Sequence, residues 1–334
     1  MITSSDTKFR KLQMRFRTEL KFSESDHKIL YKSKILCLGS CFAQYIGNKL
    51  KERLFDCIIN PWGIAYNAVS ISSQIEDCQH QKNISESELD YNPVTELFSH
   101  KNYHSEFSDP DPIKVVTRLN RANLMAFQFI QNLEVVIISL GTSYAYQKEK
   151  SVVTNCHKFP ISGFNKILLD QKQQVDALSN ALKQLQNLNP NLKTIITVSP
   201  VRHIKEGLAN NQLSKSILRT VSHQLTQENK NVEYFPSYEI LIDDLRDYRF
   251  YTEDLIHPNA QAIHYIWDKF QTCYFDEVTI ETIDKIERWI SLNNHKIFYP
   301  DTGPAKKLQL KKETLRKELV KLYPYLADKV KENA

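Results

Sequence analysis

Residues 34–50 read KILCLGSCFAQYIGNKL and form the most informative junction in the chain. The first five residues are mostly apolar and have the length of a buried strand, and Phe42, Ile46 and Leu50 follow at helical spacing. Between these two segments lies a turn of small residues, Gly-Ser-Cys at positions 39–41. This is the layout of a nucleophile elbow, in which a strand breaks sharply into a helix and exposes one reactive side chain.

Either Ser40 or Cys41 could be the exposed side chain of such an elbow. Both would lie beside the first N–H groups of the helix, which have no partners inside the helix and favour negative charge. That environment favours a thiolate at Cys41. A turn of small residues after a strand is also an ordinary α/β connection, so the elbow needs support from elsewhere in the chain.

The composition is that of an ordinary globular protein. The chain has 334 residues, of which 41% are hydrophobic and 25% charged, and it is long enough for one large domain or one domain plus an extension. No apolar run approaches the roughly 20 residues of a membrane-spanning helix. The N-terminus lacks an apolar signal core, so we expect a cytoplasmic protein. The six cysteines show no CxxC spacing and do not suggest a disulfide framework.

The positive net charge of +5 is concentrated at the C-terminus. Residues 305–334 contain nine Lys and Arg against four Asp and Glu, and the rest of the chain contains 35 of each sign. A balanced body argues against nucleic-acid binding. The basic tail carries leucines at helical spacing and is typical of a solvated helix face.

Strand-like and helix-like segments alternate through the first 275 residues, which predicts a parallel sheet with helices on both faces. We predict a three-layer, flavodoxin-like α/β fold over residues 14–275, with a possible edge strand at 14–20, followed by a helical C-terminal extension over residues 276–334. Ligands of such sheets bind beyond the carboxyl ends of the strands. Four segments fall at such ends: the elbow, Gly63, Gly141 to Ser143, and Ser199 to His203.

A second informative stretch lies more than two hundred residues after the elbow and contains Asp254 and His257. The two residues are three positions apart, so one helical turn would place both on the same side. The carboxylate could then hold Nδ1–H and leave Nε2 free to act as a base. We expect a helix to open here, with Pro258 fixing the backbone. A lone histidine near a helix start is more often structural, and Asp254 could be an early-turn helix acid.

Residues 39–43, Gly-Ser-Cys-Phe-Ala, spell the signature of the GSCFA family, which resembles the SGNH (GDSL-like) acyl hydrolases. Further matching blocks follow in order: NPWG at 60–63, LGT at 140–142, NCHK at 155–158, SPVRH at 199–203 and DLIHPN at 254–259. Together they cover about residues 14–272. The chain therefore resembles this family over most of its length, and the resemblance implies an SGNH-like hydrolase fold.

The resemblance also implies roles for the elbow and for the second stretch. The family's nucleophile column falls on Cys41, and Ser40 takes the place usually held by Asp. Asp254 and His257 match the D-x-x-H that carries the general base. We favour Cys41 over Ser40 because a thiol ionises far more easily than a hydroxyl; Ser40 could instead donate a hydrogen bond that orients the site.

The oxyanion hole matches the family pattern less well. Gly63 matches the block whose glycine N–H lines that hole. Gly141 opens the block where Gly-x-Asn is expected, but Ser143 stands in the place of the asparagine, so the amide donor is missing. Ser143 or Asn155 could substitute for it. The candidate substrate-binding residues are Asn155, His157, Arg202, His203 and His104, of which Arg202 and His203 suit an anionic or polyhydroxylated substrate.

A zinc site is the metal alternative, since Cys156 and His157 could meet Cys41 and His257. The sequence spacing gives this no support, and we predict no metal and no other cofactor. We predict an enzyme that hydrolyses or transfers acyl esters through a covalent acyl-enzyme, on a polar small-molecule or glycan substrate. The alternative is a non-catalytic binding or scaffold module on the same fold, which the altered Gly-x-Asn block and the Asp-to-Ser change favour.

Overall fold

The computed structural model describes residues 17–332. In chain order its strands are β1 (Ile35–Gly39), β2 (Cys57–Ile59), β3 (Asp90–Asn92), β4 (Leu97–Ser99), β5 (Val135–Leu140), β6 (Tyr144–Lys148), β7 (Ser151–Val153), β8 (Asn165–Leu168), β9 (Lys193–Val198) and β10 (Val232–Tyr234). Its helices are α1 (Cys41–Glu52), α2 (Ala68–Gln79), α3 (Pro112–Ile130), α4 (Gln171–Leu188), α5 (Leu208–Glu228), α6 (Ser237–Glu239), α7 (Ala260–Tyr274), α8 (Glu277–Asn294), α9 (Gly303–Leu322) and α10 (Leu326–Glu332).

The central sheet has five strands in the order β2-β1-β5-β9-β10. Every neighbouring pair is parallel. Numbered by their own sequence order these strands run 2-1-3-4-5, which is the flavodoxin-like order. The strand order reverses between β1 and β5, and ligands of such sheets bind at the carboxyl ends beside that point. The predicted flavodoxin-like α/β fold is confirmed.

Successive residues of each central strand point into two different apolar cores. In β1, Ile35 and Cys37 join the core on one face, whereas Leu36 and Leu38 join the core on the other. Helices α1 and α7 cover the first face, and α2, α3, α4 and α5 cover the second. Strands buried on both faces are apolar without alternation, and this explains why these runs were recognisable in the sequence.

The C-terminal helices α8, α9 and α10 pack on the α1 and α7 face. Ile286, Trp289 and Leu319 are buried in the same cluster as residues of α1 and α7. The ring of Tyr31 packs against that of Tyr323, with centroids 4.6 Å apart. The predicted helical C-terminal region is therefore present and shares its core with the sheet layer. A domain boundary at residue 275 stays a prediction.

Two small antiparallel sheets lie outside the predicted alternation. One is the pair β3-β4 and the other has the order β7-β6-β8. Their strands are short and mostly half-buried, and they lack the apolar runs that marked the central sheet. The edge strand predicted at 14–20 lies partly outside the described residues, and residues 17–20 form no strand. In residues 17–332 no helix combines the length and apolarity needed to cross a membrane.

Candidate active site

The elbow between β1 and α1 depends on a glycine. Gly39 has a φ of +118°, and a Cβ built there would lie 2.2 Å from the backbone oxygen of Ser139 on β5. Only a residue without a side chain fits both the dihedral angle and the contact. The Ser40 N–H donates to that same Ser139 oxygen at 2.9 Å. The turn is therefore held directly against the neighbouring strand, at the point where the strand order reverses.

Ser40 and Cys41 have different environments at this turn. Ser40 is fully buried; its Oγ accepts the Phe42 N–H at 3.2 Å and lies 2.9 Å from the Ser139 hydroxyl. It is thus the N-cap of α1. Cys41 is the first residue of the helix and is half-buried. Of the two side chains, the thiol faces a cavity and the hydroxyl does not.

The cavity has a volume of about 660 Å³ and lies at the carboxyl edge of the sheet. Its walls come from the start of α1, the loop before α2, the β7-β6-β8 sheet and the segments after β9 and before α7. The predicted site residues that line it are Cys41, Asn155, Arg202, His203 and His257. Segments more than two hundred residues apart therefore meet at one cavity.

Tyr66, which the sequence did not single out, is the hydrogen-bond partner of the thiol. Its hydroxyl lies 3.9 Å from the Cys41 Sγ. Burial raises the pKa of Tyr66, and negative charge on Cys41 raises it further, so the phenol stays protonated and can donate a hydrogen bond. The Tyr66 backbone oxygen also accepts the N–H groups of Gly141, at 2.7 Å, and Thr142, at 3.0 Å.

Asp254 and His257 are joined by a hydrogen bond between their side chains. The His257 Nδ1 lies 2.6 Å from Asp254 Oδ2. The other carboxylate oxygen accepts from the Thr252 hydroxyl at 2.5 Å and from the N–H groups of Ile256 and His257 at 2.8 and 3.0 Å. These donors, the Thr252 hydroxyl foremost, hold the pKa of Asp254 well below its usual range. The group is therefore a carboxylate throughout the physiological range and fixes the imidazole by its Nδ1.

The predicted helical geometry of this motif is wrong. Leu255 has a φ of +57°, which a right-handed helix excludes. The segment is a tight turn closed by a hydrogen bond from the Thr252 N–H to the His257 oxygen, at 2.8 Å. Helix α7 begins only at Ala260, and Asn259 caps it. The turn, rather than a helical face, brings the carboxylate and the imidazole together.

Cys41 and His257 line the same cavity, but the hydrogen-bond partner of the sulfur is the Tyr66 hydroxyl. Tyr45 lies near both halves of the site. Burial raises its pKa most, and the charges of Cys41 and Asp254 raise it further. In this form of the site the imidazole and the thiol face one space without a direct hydrogen bond. Catalytic hydrogen bonds often tighten only when a substrate is bound.

Arg202 and His203 follow β9 and border this space. The Arg202 guanidinium lies 4.0 Å from the Tyr251 ring centroid and donates to the Leu255 oxygen at 3.3 Å, so it braces the turn that carries His257. The His203 ring packs edge-on to Tyr66, with centroids 5.2 Å apart. Burial, reinforced by nearby positive charges, lowers the pKa of His203 to about 3. His203 is therefore uncharged at physiological pH and forms part of the cavity wall.

The three candidate oxyanion residues use their donors inside the protein. The Gly63 N–H donates to the backbone oxygen three residues earlier, at 2.8 Å, and the Gly141 N–H donates to Tyr66. The Ser143 N–H and hydroxyl both bond to Ser214, at 2.7 and 3.1 Å. None of the three lines the cavity. Their hydrogen bonds instead shape the loops that surround it.

Asn155, His157 and His104 occupy different layers of the wall. Asn155 lines the cavity, and its Oδ1 accepts the His157 N–H at 2.9 Å. The His157 ring points away from the cavity, 3.3 Å from the Ser105 hydroxyl and 3.1 Å from the His100 oxygen. His104 packs over Gly63, where an added Cβ would lie 2.1 Å from its own Cβ. Asn155 alone of these three can reach a ligand.

Asn67 is a cavity residue that the sequence analysis missed. Its Oδ1 accepts the Ser70 N–H at 2.9 Å and caps α2, which leaves the Nδ2 group without a partner within residues 17–332. It lines the same cavity as Cys41. An asparagine just before a helix is normally interpreted as an N-cap. That interpretation accounts for its Oδ1 and leaves the Nδ2 group unconsidered.

Lys215 was also missed and supports the cavity from behind. It is 1% exposed, and its Nζ donates to the backbone oxygens of Gly141 and Ser199, both at 2.7 Å. Burial lowers the pKa of Lys215 to about 7. The lysine thus ties together the carboxyl ends of β5 and β9. Lys215 lies three residues before Leu218 on the buried face of α5. This helical spacing could have indicated that the lysine is buried.

The fold and this cavity define an α/β protein with a cysteine and an aspartate-held histidine at the carboxyl edge of a parallel sheet. A model of the GSCFA family matches residues 34–270, and the chain belongs to that family. The predicted membership is therefore confirmed. No curated protein matches the chain at a significant level. Within residues 17–332, no group of three or more His, Cys, Asp or Glu side chains is arranged to hold a metal ion.

Proposed function

We propose that this protein hydrolyses or transfers acyl esters, by an SGNH-like mechanism, through a covalent thioester on Cys41. The observation that carries the proposal is the meeting of Cys41 with the Asp254-held His257 at one cavity. Acyl transfer needs a nucleophile, a base and donors for the oxyanion, and the first two are present in that cavity. The substrate is a polar small molecule or glycan derivative.

The reaction begins with proton transfer from the Cys41 thiol to the His257 Nε2. The thiolate attacks the acyl carbonyl and forms the C–S bond. The tetrahedral intermediate then expels the alcohol, which takes the proton from the imidazolium. Water, or the hydroxyl of an acceptor, gives a proton to His257 and attacks the thioester, so that the acyl group leaves and the thiol is restored. Asp254 stays ionised and stabilises the imidazolium throughout.

The oxyanion requires donors other than the glycines of the family pattern. We assign this role to three groups of residues that line the cavity: the Cys41 N–H at the start of α1, the Asn67 amide and the Tyr66 hydroxyl. The first is a helix N-terminal amide, which favours negative charge. The Asn67 amide supplies the side-chain donor that Ser143 cannot.

The test is mass spectrometry of the intact protein after exposure to a panel of activated esters, together with their hydrolysis rates. The wild-type protein should gain one acyl mass, and Cys41→Ala should lose both the adduct and the turnover. Cys156→Ala removes the other thiol that lines the cavity and should keep the adduct. Full turnover in Cys41→Ala would refute the nucleophile assignment.

The second candidate function is ligand binding without turnover. The Gly63 and Gly141 amides are bonded within the protein, and the Cys41 sulfur contacts Tyr66 rather than His257. These contacts suit a cavity that holds a ligand and performs no chemistry on it. Iodoacetamide labelling separates the two candidates, since an activated Cys41 should react well below pH 8 and faster than the other five cysteines. Uniformly slow labelling would favour the binding module.

A further inference from the structure

The cavity wall carries an excess of positive charge that the proposed chemistry does not use. Lys158, Lys166, Arg202 and Lys205 line the cavity, and Glu206 is the acidic side chain among the lining residues. The whole chain before the basic tail, these residues included, is balanced in charge. The cationic side chains are therefore locally concentrated around the site, although the body as a whole has no net excess.

Most of this charge has no carboxylate partner within the part of the chain that the structure describes. Glu206 forms an ion pair with Lys166. Arg202 is stacked on Tyr251 and bonded to a backbone oxygen, so its charge is not neutralised. Lys158 and Lys205 form no ion pair within residues 17–332 and are exposed. The wall thus presents three uncompensated positive charges to whatever occupies the cavity.

Lys205 lies close to the other groups of the cavity. Burial raises the pKa of the Cys156 thiol, and the charges of Lys205 and Lys166 oppose that rise. The Lys166 Nζ also lies over the rings of Tyr144 and Tyr146, 5.4 and 5.8 Å from their centroids. Lys166 therefore lies beside an aromatic part of the cavity wall.

We propose that the substrate of this site carries a negatively charged group, a carboxylate or a phosphate, which binds among Lys158, Arg202 and Lys205 while its acyl carbonyl reaches Cys41. This inference rests on the proposed acyl transfer. A neutral sugar would leave three like charges on one cavity wall repelling each other without a counter-charge. An anion removes that repulsion and gains charge-assisted hydrogen bonds, and it also steers the substrate to the cavity.

The experiment compares two alkylating reagents of similar size that differ in charge. Iodoacetate is an anion and iodoacetamide is neutral, so the ratio of their rate constants at one thiol reports the local potential. We measure that ratio at Cys41 by peptide mass spectrometry and normalise it to the ratio for N-acetylcysteine amide, an uncharged reference thiol. The normalised ratio should exceed about three in the wild-type protein and should fall as salt is added.

Two variants connect the ratio to the cavity charges. Lys205→Gln should lower it about threefold, and the Lys158→Gln/Lys205→Gln double variant further. The matched control is Lys230→Gln, because Lys230 is an exposed lysine between α5 and β10, at the opposite edge of the sheet. It removes the same charge and should leave the ratio unchanged. A wild-type ratio equal to that of N-acetylcysteine amide, unaltered in the double variant, would overturn the inference.

The outcome is separable from that of the proposed function, since alkylation needs no acyl transfer. A high ratio in a protein that hydrolyses no ester would refute the proposed acyl-transfer activity and would support the anion site. If Cys41 reacts with neither reagent, calorimetric titration with inorganic phosphate and with succinate replaces the labelling. Binding that disappears in the double variant supports the inference, and the tighter anion identifies the group. If neither anion binds at about 10 mM, the Kd is weaker than that of typical metabolite sites. That result would contradict the inference.

Discussion

The two halves of the candidate site are held in place in different ways. The elbow is buried: Gly39 lies against Ser139, and Ser40 is 0% exposed. The turn with Asp254 and His257 is open to solvent, and the side chains of these two residues are 44% and 33% exposed. The nucleophile is thus positioned by the packing of two strands, whereas the base is positioned by hydrogen bonds made within its own turn.

This difference tells us where each half is vulnerable. A change at the elbow must disturb the β1–β5 contact and hence the core of the sheet. A change in the turn removes local hydrogen bonds on an exposed surface, where little apolar area is at stake. We therefore expect elbow substitutions to reduce folding stability and turn substitutions to reduce activity. Substitutions in each half can test this difference between effects on stability and effects on activity.

Gly39→Ala should have the largest effect. The added Cβ would lie 2.2 Å from a backbone oxygen at a φ of +118°, so the strands must separate or the turn must rearrange. We expect the free energy of unfolding to fall by about 4 kcal/mol or more, measured by urea denaturation. Gly163→Ala is the control, because a Cβ there has no neighbour within 4 Å. Equal stability of the two variants would show that the elbow is not under this constraint.

His257→Ala should lower kcat/KM for an activated ester about 10³-fold, and Asp254→Asn about 10²-fold, with folding stability nearly unchanged. The first variant removes the base, and the second weakens the group that orients it. Ester hydrolysis and thermal unfolding are measured on the same samples. His264→Ala, an exposed histidine of α7, should behave as the wild-type protein does. A loss of stability in Asp254→Asn that matches the Gly39→Ala loss would contradict the proposed separation.

The sequence predicted the central sheet because its strands are buried on both faces. Runs such as residues 135–140 are apolar except for Ser139, and their alternation with helices predicted a parallel sheet with helices on both faces. The β7-β6-β8 sheet was missed because its strands are short and half-exposed, with Lys148 and Lys166 among them. That sheet forms one wall of the cavity, so the substrate-facing surface was also the least predictable part of the chain.

The candidate site was predictable where chemistry is local and not where it depends on contacts. The Asp254 and His257 pairing was expected from their spacing on a helix, but a turn that contains a left-handed Leu255 produces it instead. The roles of Asn67 and Lys215 depend on which loops meet at the carboxyl edge. Gly63 and Gly141 were expected as oxyanion donors. Their N–H groups instead donate to backbone oxygens, that of Gly63 within its own loop and that of Gly141 to Tyr66. Sequence spacing cannot show which backbone oxygens of the folded protein will accept these N–H groups.

Acid should destabilise the buried framework before it affects the exposed turn. Burial lowers the pKa values of His100 and His157 to about 4 and that of His203 to about 3. The unfolded chain takes up these protons near pH 6.5 and the folded protein does not, so stability falls as the pH drops from 6.5 towards 4. The loss should be on the order of 2 kcal/mol for each histidine.

Urea unfolding at pH 7, 5.5 and 4.5 measures this loss, and His100→Gln should flatten the pH dependence. Asp254 has the opposite dependence: its pKa is lowered, so its contribution is present above about pH 3.8 and is lost only in stronger acid. Asp254→Asn should therefore leave the slope between pH 6.5 and 4 unchanged. A flattened slope in that variant would mean that the turn, rather than the buried histidines, responds to acid.

Ser40→Ala should have the smallest effect and sharpens the comparison within the elbow itself. It removes the cap of α1 and the partner of the Ser139 hydroxyl, which should cost about 1 kcal/mol in unfolding free energy. Asp170→Ala removes the exposed cap of α4 and is the matched control, with a cost of similar size. Because Ser40 is buried away from the cavity, kcat/KM should stay within about threefold of the wild-type value. A complete loss of turnover in Ser40→Ala, with Cys41 still labelled by iodoacetamide, would transfer the nucleophile's role to the serine.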